Sequence, residues 1–355
     1  MGATLQTIAD ELNISRSTVS NAYSRPDQLS PELRSRILET AERLGYPGPN
    51  PSARSLRRGK AGAIGVVLTS DLSMAFSDPY AVAYLRGLAQ AAEQREASLL
   101  LITIPSDEDA AIRTVRSAAV DGFCVYCVAH WHPALDVIRT RGLPMVVNDR
   151  PAIETGAMFV GIDEREASRK VGEHIANLGH ERIAIVADSV RYQQPAGVVT
   201  GVTPEDLRYY VTGERVRGFR DALEKGGVPW EKITLINAAE NARTAGADAA
   251  AFALDRRDRA TAILTGSDVL ALGVLDALAV RGLQPGRDVS VTGFDDIPEA
   301  AAAGLTTIHQ ASVERGRLAG ELLLDPPEDP RQGNHVLPTE LVVRATTGPA
   351  PTTTH

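Results

Sequence analysis

Two periodicities divide this chain. Over its first 46 residues apolar side chains recur at helical spacing, with capping residues between the apolar runs. Leu5, Ile8, Ala9 and Leu12 fall at i, i+3, i+4 and i+7, one face of a helix. Asn13 tolerates the left-handed backbone that a tight turn needs. Ser15 can then cap a second helix that turns Val19 inward. Ser30-Pro31 is a cap followed by proline at the first helical position. Ile37, Leu38, Ala41 and Leu44 give a third helix its buried stripe, ended by Gly45.

Next comes PGPNPSARSLRRGKAG, a linker by composition with a helix-compatible island at 51–57. From Ala63 the pattern changes to short β-like runs: AIGVVL, SLLLITI, GFCVYCV, PMVVND, MFVGID, RIAIVAD, ITLINA, AILTG and VSVTGFD. Amphipathic helical stretches separate most of them, for example 81–93 and 166–178. Strands alternating with helices predict parallel sheets covered on both faces. So many units exceed what one open sheet holds comfortably, which predicts two lobes. The expected organisation is an all-α head over 1–47, a hinge or linker over 48–60, a two-lobed α/β core over 61–348 and a disordered tail over 349–355.

Charge sharpens this division. The 355-residue chain carries a formal net charge of −8, yet residues 1–60 hold nine Lys/Arg against six Asp/Glu. The remainder holds 28 against 39 and is strongly acidic. A cationic head on an anionic body suits phosphate contact through the head alone. No run approaches the roughly 18 apolar residues that span a bilayer. The amino terminus shows no secretory signal, so a cytoplasmic protein is expected.

Several chemistries find little support. Cys124 and Cys127 lie within a β-like run rather than at a helix start, so a redox CxxC is disfavoured and both are expected to be core cysteines. His130 and His132 lack a third ligand for a metal. No GxGxxG after a strand, no GxxxxGK[ST] and no GxSxG elbow is present, so no enzyme activity and no cofactor are expected.

In TIADELNISRSTVSNAY, the apolar positions Ile8, Ala9, Leu12, Ile14 and Val19 suit a helix-turn-helix core. Arg16, Ser17, Ser20 and Asn21 are left exposed early in the second helix, where such motifs enter the major groove. Arg can bind guanine and Asn adenine through paired hydrogen bonds. The alternative is an ordinary helical hairpin with a polar surface.

The run TLQTIADELNISRSTVSNAY, followed by LSPELRSRILETAERLGYPGPNPSARSLRRGKAGAIGVV, resembles the lactose-repressor (LacI/GalR) family of bacterial transcriptional regulators. The resemblance rests on the TVS core, the PNPSARSL hinge phrase and the strand that opens the body, and it extends from about Thr4 to Thr347. It implies that Arg16, Ser17 and Asn21 read bases and that Thr18 and Ser20 hold phosphates. In the hinge it places Ala53, Arg54 and Leu56 on DNA, with Ala53 and Leu56 in the minor groove and Leu56 as the apolar wedge at a central base step. Two departures stand out. GYPGPNP is one residue longer than the family's usual form, and Ser24 and Pro26 stand where it usually has Asn and Gly.

The resemblance also implies a periplasmic-binding-protein-like body that senses a small metabolite between its lobes. Ligands of such sheets sit at the carboxyl ends of strands. The strand ends read here are Ser70, Asp149, Arg150, Asp163, Ser267, Asp268, Asp295 and Asp296. Asp163 and Asp268 can equally be helix caps, Arg150 can pair with Asp149, and Tyr80 can be core. Motif matching adds Asp78 and Tyr80, with Phe76 nearby, from DPYAVAYLRGL, and Arg215 from ERVRGF. Carboxylates and arginine suit a polyol, so a sugar or sugar derivative is expected. The full expectation is a dimeric, ligand-responsive repressor on a pseudo-palindromic operator; a transporter's solute-binding protein or an α/β enzyme on the same fold are the alternatives. The stretch 189–213 is insertion-like, without strong matches to the family pattern, and can gate the cleft or only decorate it.

Overall fold

The structure, a computed structural model, describes residues 2–49, 59–68, 72–105, 107–149, 156–190 and 194–351. The chain divides into two units, Met1–Gly62 and Ala63–His355.

The first unit is built from α1 (Leu5–Leu12), α2 (Arg16–Ser24) and α3 (Pro31–Arg43). Local signals set each boundary. Thr4 and Thr7 form a reciprocal capping box, Asn13 closes α1 with φ 52°, and Ser15 accepts the Thr18 N–H at 3.0 Å. Ser30 accepts the Leu33 N–H ahead of Pro31. Ile8, Ala9, Val19, Ala22, Ile37 and Ala41 form the core, with Leu5, Leu12, Ile14, Leu33 and Leu44 packed around it. Leu38 lies outside this cluster: the stripe of α3 runs through Leu33, Ile37, Ala41 and Leu44, a spacing that turns position 38 aside.

The second unit holds two sheets. The first lobe contains β1 (Ala63–Leu68), α4 (Leu72–Ser77), α5 (Pro79–Gln94), β2 (Ser98–Thr103), α6 (Glu108–Ser117), β3 (Gly122–Tyr126), α7 (Ala134–Thr140), β4 (Met145–Val147) and β5 (Met158–Ile162). The second lobe follows with α8 (Glu164–Asn177), β6 (Ile183–Ala187), β7 (Gly197–Val199), α9 (Tyr210–Lys225), β8 (Thr234–Asn237) and α10 (Arg243–Leu254). It continues through β9 (Ala262–Thr265), α11 (Asp268–Val280), β10 (Ser290–Thr292), α12 (Pro298–Ala302) and β11 (Thr307–Gln310). The chain then returns to the first lobe with α13 (Ser312–Leu324) and β12 (Asn334–Leu337), and ends in the second with β13 (Thr339–Val342).

Strand order is β12-β5-β4-β3-β1-β2 in the first lobe, all parallel, and β10-β9-β6-β8-β7 in the second, where only the edge strand β7 is antiparallel. Apolar clusters cover both faces of each sheet. This is the two-lobed α/β core with parallel sheets expected from the alternation. Helices pair closely through glycine: a Cβ on Gly316 would lie 2.0 Å from the Tyr84 carbonyl oxygen, and one on Gly87 would lie 1.9 Å from that of Val313. That contact seats α13 against α5.

The nine sequence-predicted strands are present, with ends trimmed by up to four residues. Strands β7, β11, β12 and β13 were not anticipated: each has three or four residues, and Pro338 separates the last two. Two expectations need correction. Cys124 is fully buried, but β3 stops at Tyr126 and Cys127 takes φ 52°, so its side chain is exposed rather than core. The start of the expected disordered tail is anchored: Ala350 donates to the Leu178 carbonyl at 2.8 Å, beside His180 on the Gly348 carbonyl. His180 and the backbone of Leu178 supply anchors that tail composition does not reveal.

Candidate functional site

Strand carboxyl ends from both sheets converge on a cleft of about 360 Å3. The first lobe contributes Asp78 and Tyr80 at the start of α5, Tyr126 and Cys127 at the end of β3, His130 and Trp131 in the loop beyond, and Asp149 after β4. The second lobe contributes Asp188 after β6, Tyr209 to Thr212 where α9 begins, Arg215 on α9, Asn241, Ser267 after β9 and Asp295 after β10.

Helix starts hold several of these groups. Asp78 accepts the Tyr80 N–H at 3.0 Å, which caps α5. Ser267 accepts from Leu270 N–H at 3.2 Å and donates to Asn241 Oδ1 at 2.5 Å. Asp295 has φ 122°, a backbone state costly for a residue with a Cβ, and its N–H donates to the Ile308 carbonyl at 2.9 Å. The strain is stored where the carboxyl enters the cleft.

Arg215 is already engaged within the protein. Its Nε donates to Glu164 Oε2 at 2.8 Å, Nη1 donates to the Gly266 carbonyl, and the guanidinium lies 3.7 Å from the centroid of Phe294. Burial works against its charge, but Glu164 and Asp295 outweigh that and keep its pKa raised. The carboxylic acids behave oppositely. Burial raises the pKa of Asp78, Asp188 and Asp295; Asp295 is raised well above the usual carboxylate range, chiefly by burial, with Asp268 and Asp78 adding repulsion against the opposing pull of Arg215.

Behind the cleft, a buried polar chain joins the lobes where β11 returns to α13. Gln310 Nε2 donates to Asp295 Oδ1 at 2.6 Å, and its Oε1 accepts from Arg315. Arg315, 2% exposed, also donates to the Tyr80 hydroxyl and to the Asn148 carbonyl at 2.7 Å. Asn148 Oδ1 in turn accepts the Cys127 N–H at 3.2 Å. Tyr80 therefore belongs both to the cleft wall and to the apolar cluster of the second lobe.

The periplasmic binding protein-like domain family matches residues 173–347. An HTH-type transcriptional regulator of Mycolicibacterium smegmatis is 41% identical over 354 residues, covering 98% of this chain and 97% of its own. Among solved structures, a LacI family transcriptional regulator from Corynebacterium glutamicum aligns with TM-score 0.73 at 36% identity, covering 98% of this chain and 99% of that one. This chain belongs to the LacI family. It is a DNA-binding transcriptional regulator, and the resemblance carried by its head and hinge phrases is correct. A complex of the transcriptional regulator CelR with cellobiose also aligns with this LacI-family chain, at TM-score 0.68 and 25% identity over 97% of this chain and 99% of that one.

Of the effector residues expected for this LacI-family body, the cleft brings together Asp78, Tyr80, Asp149, Arg215, Ser267 and Asp295. Phe76 does not line it: the side chain is 59% exposed, because α4 ends before Asp78 redirects the chain into α5. Ser70 and Arg150 lie outside the described residues. Asp163 caps α8 through the Glu166 N–H and stays out of the cleft. Asp268 is fully buried, accepting from Thr307 Oγ1 at 2.6 Å and the Ile297 N–H at 2.9 Å. His132 accepts the Ala134 N–H, and no cluster of three metal-ligating side chains occurs among the described residues.

Residues missed from the sequence include Asp188, Asn241, Trp131, Tyr209 and Tyr210. The strand-end rule that selected Asp149 would also have selected Asp188, which ends RIAIVAD. Arg315 and Gln310 had no such signal, since only the return of the chain between lobes places them behind the cleft.

In the head, Arg16 and Ser17 are exposed at the start of α2, while Thr18, Ser20 and Asn21 are half-buried. Ser15 holds the Ser17 and Thr18 hydroxyls at 2.6 and 2.7 Å, and Asn21 Nδ2 donates to Gln28 Oε1 at 3.5 Å. Ser24 turns its hydroxyl back to the Ser20 carbonyl at 2.9 Å. Ala53, Arg54 and Leu56 lie outside the described residues.

Proposed function

We propose that this regulator is a ligand-responsive repressor that binds a pseudo-palindromic operator as a homodimer and senses an uncharged, sugar-like polyol in the cleft between its lobes. The observation that carries the ligand reading is the lining of that cleft. Among the described residues of the lining, Asp78, Asp149, Asp188 and Asp295 face one arginine, Arg215, which Glu164 already engages. Such a site repels anions and rewards hydroxyl donors. Trp131, Tyr126, Tyr209 and Tyr210 provide apolar ring faces for the C–H side of a sugar. CelR binding cellobiose on a similar fold supports the same ligand class.

For DNA, Arg16, Ser17 and Asn21 are the base readers and Thr18 and Ser20 the phosphate contacts. Ala53 and Arg54 join them from the hinge, with Leu56 as the minor-groove wedge. Two heads related by a dyad match a two-fold operator. Ligand shifts operator affinity by binding two lobe arrangements unequally.

Selection of duplexes from a random pool by the full chain, followed by titration with neutral sugars, cyclitols and their phosphates, tests this reading. Enrichment of a pseudo-palindrome whose binding responds to a neutral polyol is expected. Failure to enrich any sequence overturns the DNA reading, and a response confined to phosphorylated ligands overturns the ligand reading.

A further inference from the structure

The connection that enters α9 reaches across the cleft. Tyr209, in the second lobe, packs against Trp131, in the first, with ring centroids 5.0 Å apart and planes inclined at 63°. The Arg208 guanidinium lies 4.3 Å from the centroid of the same indole, and His130 meets it edge-on at 4.8 Å. Trp131 and Tyr209 both line the cleft and lie far in sequence from the crossings near Asp163, Ala311 and Pro338 that join the lobes covalently. The tie is therefore a side-chain contact between two loops. Edge-to-face rings and a cation over an indole are favourable beyond simple burial, yet weak enough to open on a functional timescale.

We propose that Trp131, clamped by Tyr209 and Arg208, forms an aromatic clasp between the lobes that controls passage into and out of the effector cleft. This rests on the cleft being the effector site, and it assigns a role to residues that neither the helix-turn-helix nor the polyol-binding carboxylates require. Opening the lobes separates the indole from its two partners; closing them rebuilds one wall of the cleft from both lobes at once. Ligand exchange therefore requires the clasp to part. Removing one partner speeds exchange by about 3- to 10-fold, the factor that one aromatic contact represents.

Cys127 provides a probe that needs no knowledge of the ligand, because it is exposed and lines the same cleft while Cys124 is fully buried; the crowded cleft wall and Asp149 raise its thiol pKa, which is why alkaline pH is used. The full-length protein is treated at alkaline pH with iodoacetamide and, separately, with the bulkier N-(1-pyrenyl)maleimide. Labelling at Cys127 is followed by peptide mass. Tyr209→Ala is expected to speed pyrenylmaleimide labelling about 3- to 10-fold while changing the iodoacetamide rate little, with Tyr209→Phe close to wild type. Arg208→Gln provides an independent opening should Tyr209→Ala lower the melting temperature. Unchanged labelling in both Tyr209→Ala and Arg208→Gln overturns the clasp. Addition of the neutral sugars and cyclitols then separates the two readings. Faster labelling in the variants, together with wild-type labelling that no polyol slows, leaves the clasp standing and removes the polyol reading beneath it.

Discussion

Arg215 and Glu164 meet at 2.8 Å, with side chains only 13% and 4% exposed. One lies on α9 and the other in the first turn of α8, so the ion pair fixes how these two helices present the cleft. An arginine held this way is preorganised for ligand and also part of the scaffold. Its removal therefore has two consequences that must be measured apart.

Arg215→Ala is expected to cost about 3–5 kcal/mol of stability, because Glu164 is left buried without its cation. The double variant Arg215→Met with Glu164→Gln should recover much of that loss while still losing the ligand response. Urea unfolding of the three proteins checks this; an Arg215→Ala protein as stable as wild type would contradict the buried pair.

The carboxyls of the cleft make stability depend on pH. Asp295, Asp188 and Asp78 are raised chiefly by burial, so the native state keeps their protons after the unfolded chain has released them. Their presence costs nothing below about pH 4, the ordinary Asp value, and costs increasingly more as pH rises through the raised values. Asp295→Asn should flatten the fall of stability above about pH 4. Denaturant midpoints across pH 4–8 measure it, and an unchanged slope would assign the effect elsewhere. Ligand hydroxyls that donate to ionised carboxylates should bind more tightly across the same rise.

On DNA, Asn21→Ala or Arg16→Ala should relax preference at one base of each half-site by about 1–3 kcal/mol. Thr18→Ala should instead weaken binding to all sequences alike. Competition against single-base operator variants at fixed salt distinguishes the two patterns.

Gly316→Ala should destabilise the body by about 1–3 kcal/mol, since α13 must retreat from the Tyr84 carbonyl. Arg315 is the preceding residue, so the same retreat should disturb its bond to Tyr80 and weaken ligand binding. A thermal melt and a ligand titration on the same sample test both halves; loss of stability without loss of affinity would uncouple Arg315 from the cleft.

Local chemistry was sufficient for much of this protein. Helical spacing with Ser15, Ser30 and Asn13 marked out the helices of the head, because caps and turns depend on neighbours a few residues away. The β-like runs predicted nine strands and, through the strand-end rule, Asp149, Ser267 and Asp295 of the cleft; motif matching supplied Asp78, Tyr80 and Arg215. What escaped depended on contacts between distant segments. Phe76 matched the motif yet points to solvent, and Cys127 left its strand one residue after it ended. Arg315 reaches Tyr80 from 235 positions away, and Trp131 finds Tyr209 only because two lobes face each other. Periodicity records which face of an element is apolar; it carries no information about which other element that face, or a polar side chain beside it, will meet. That pairing was decided by the packing of the two sheets and the three passages of the chain between them.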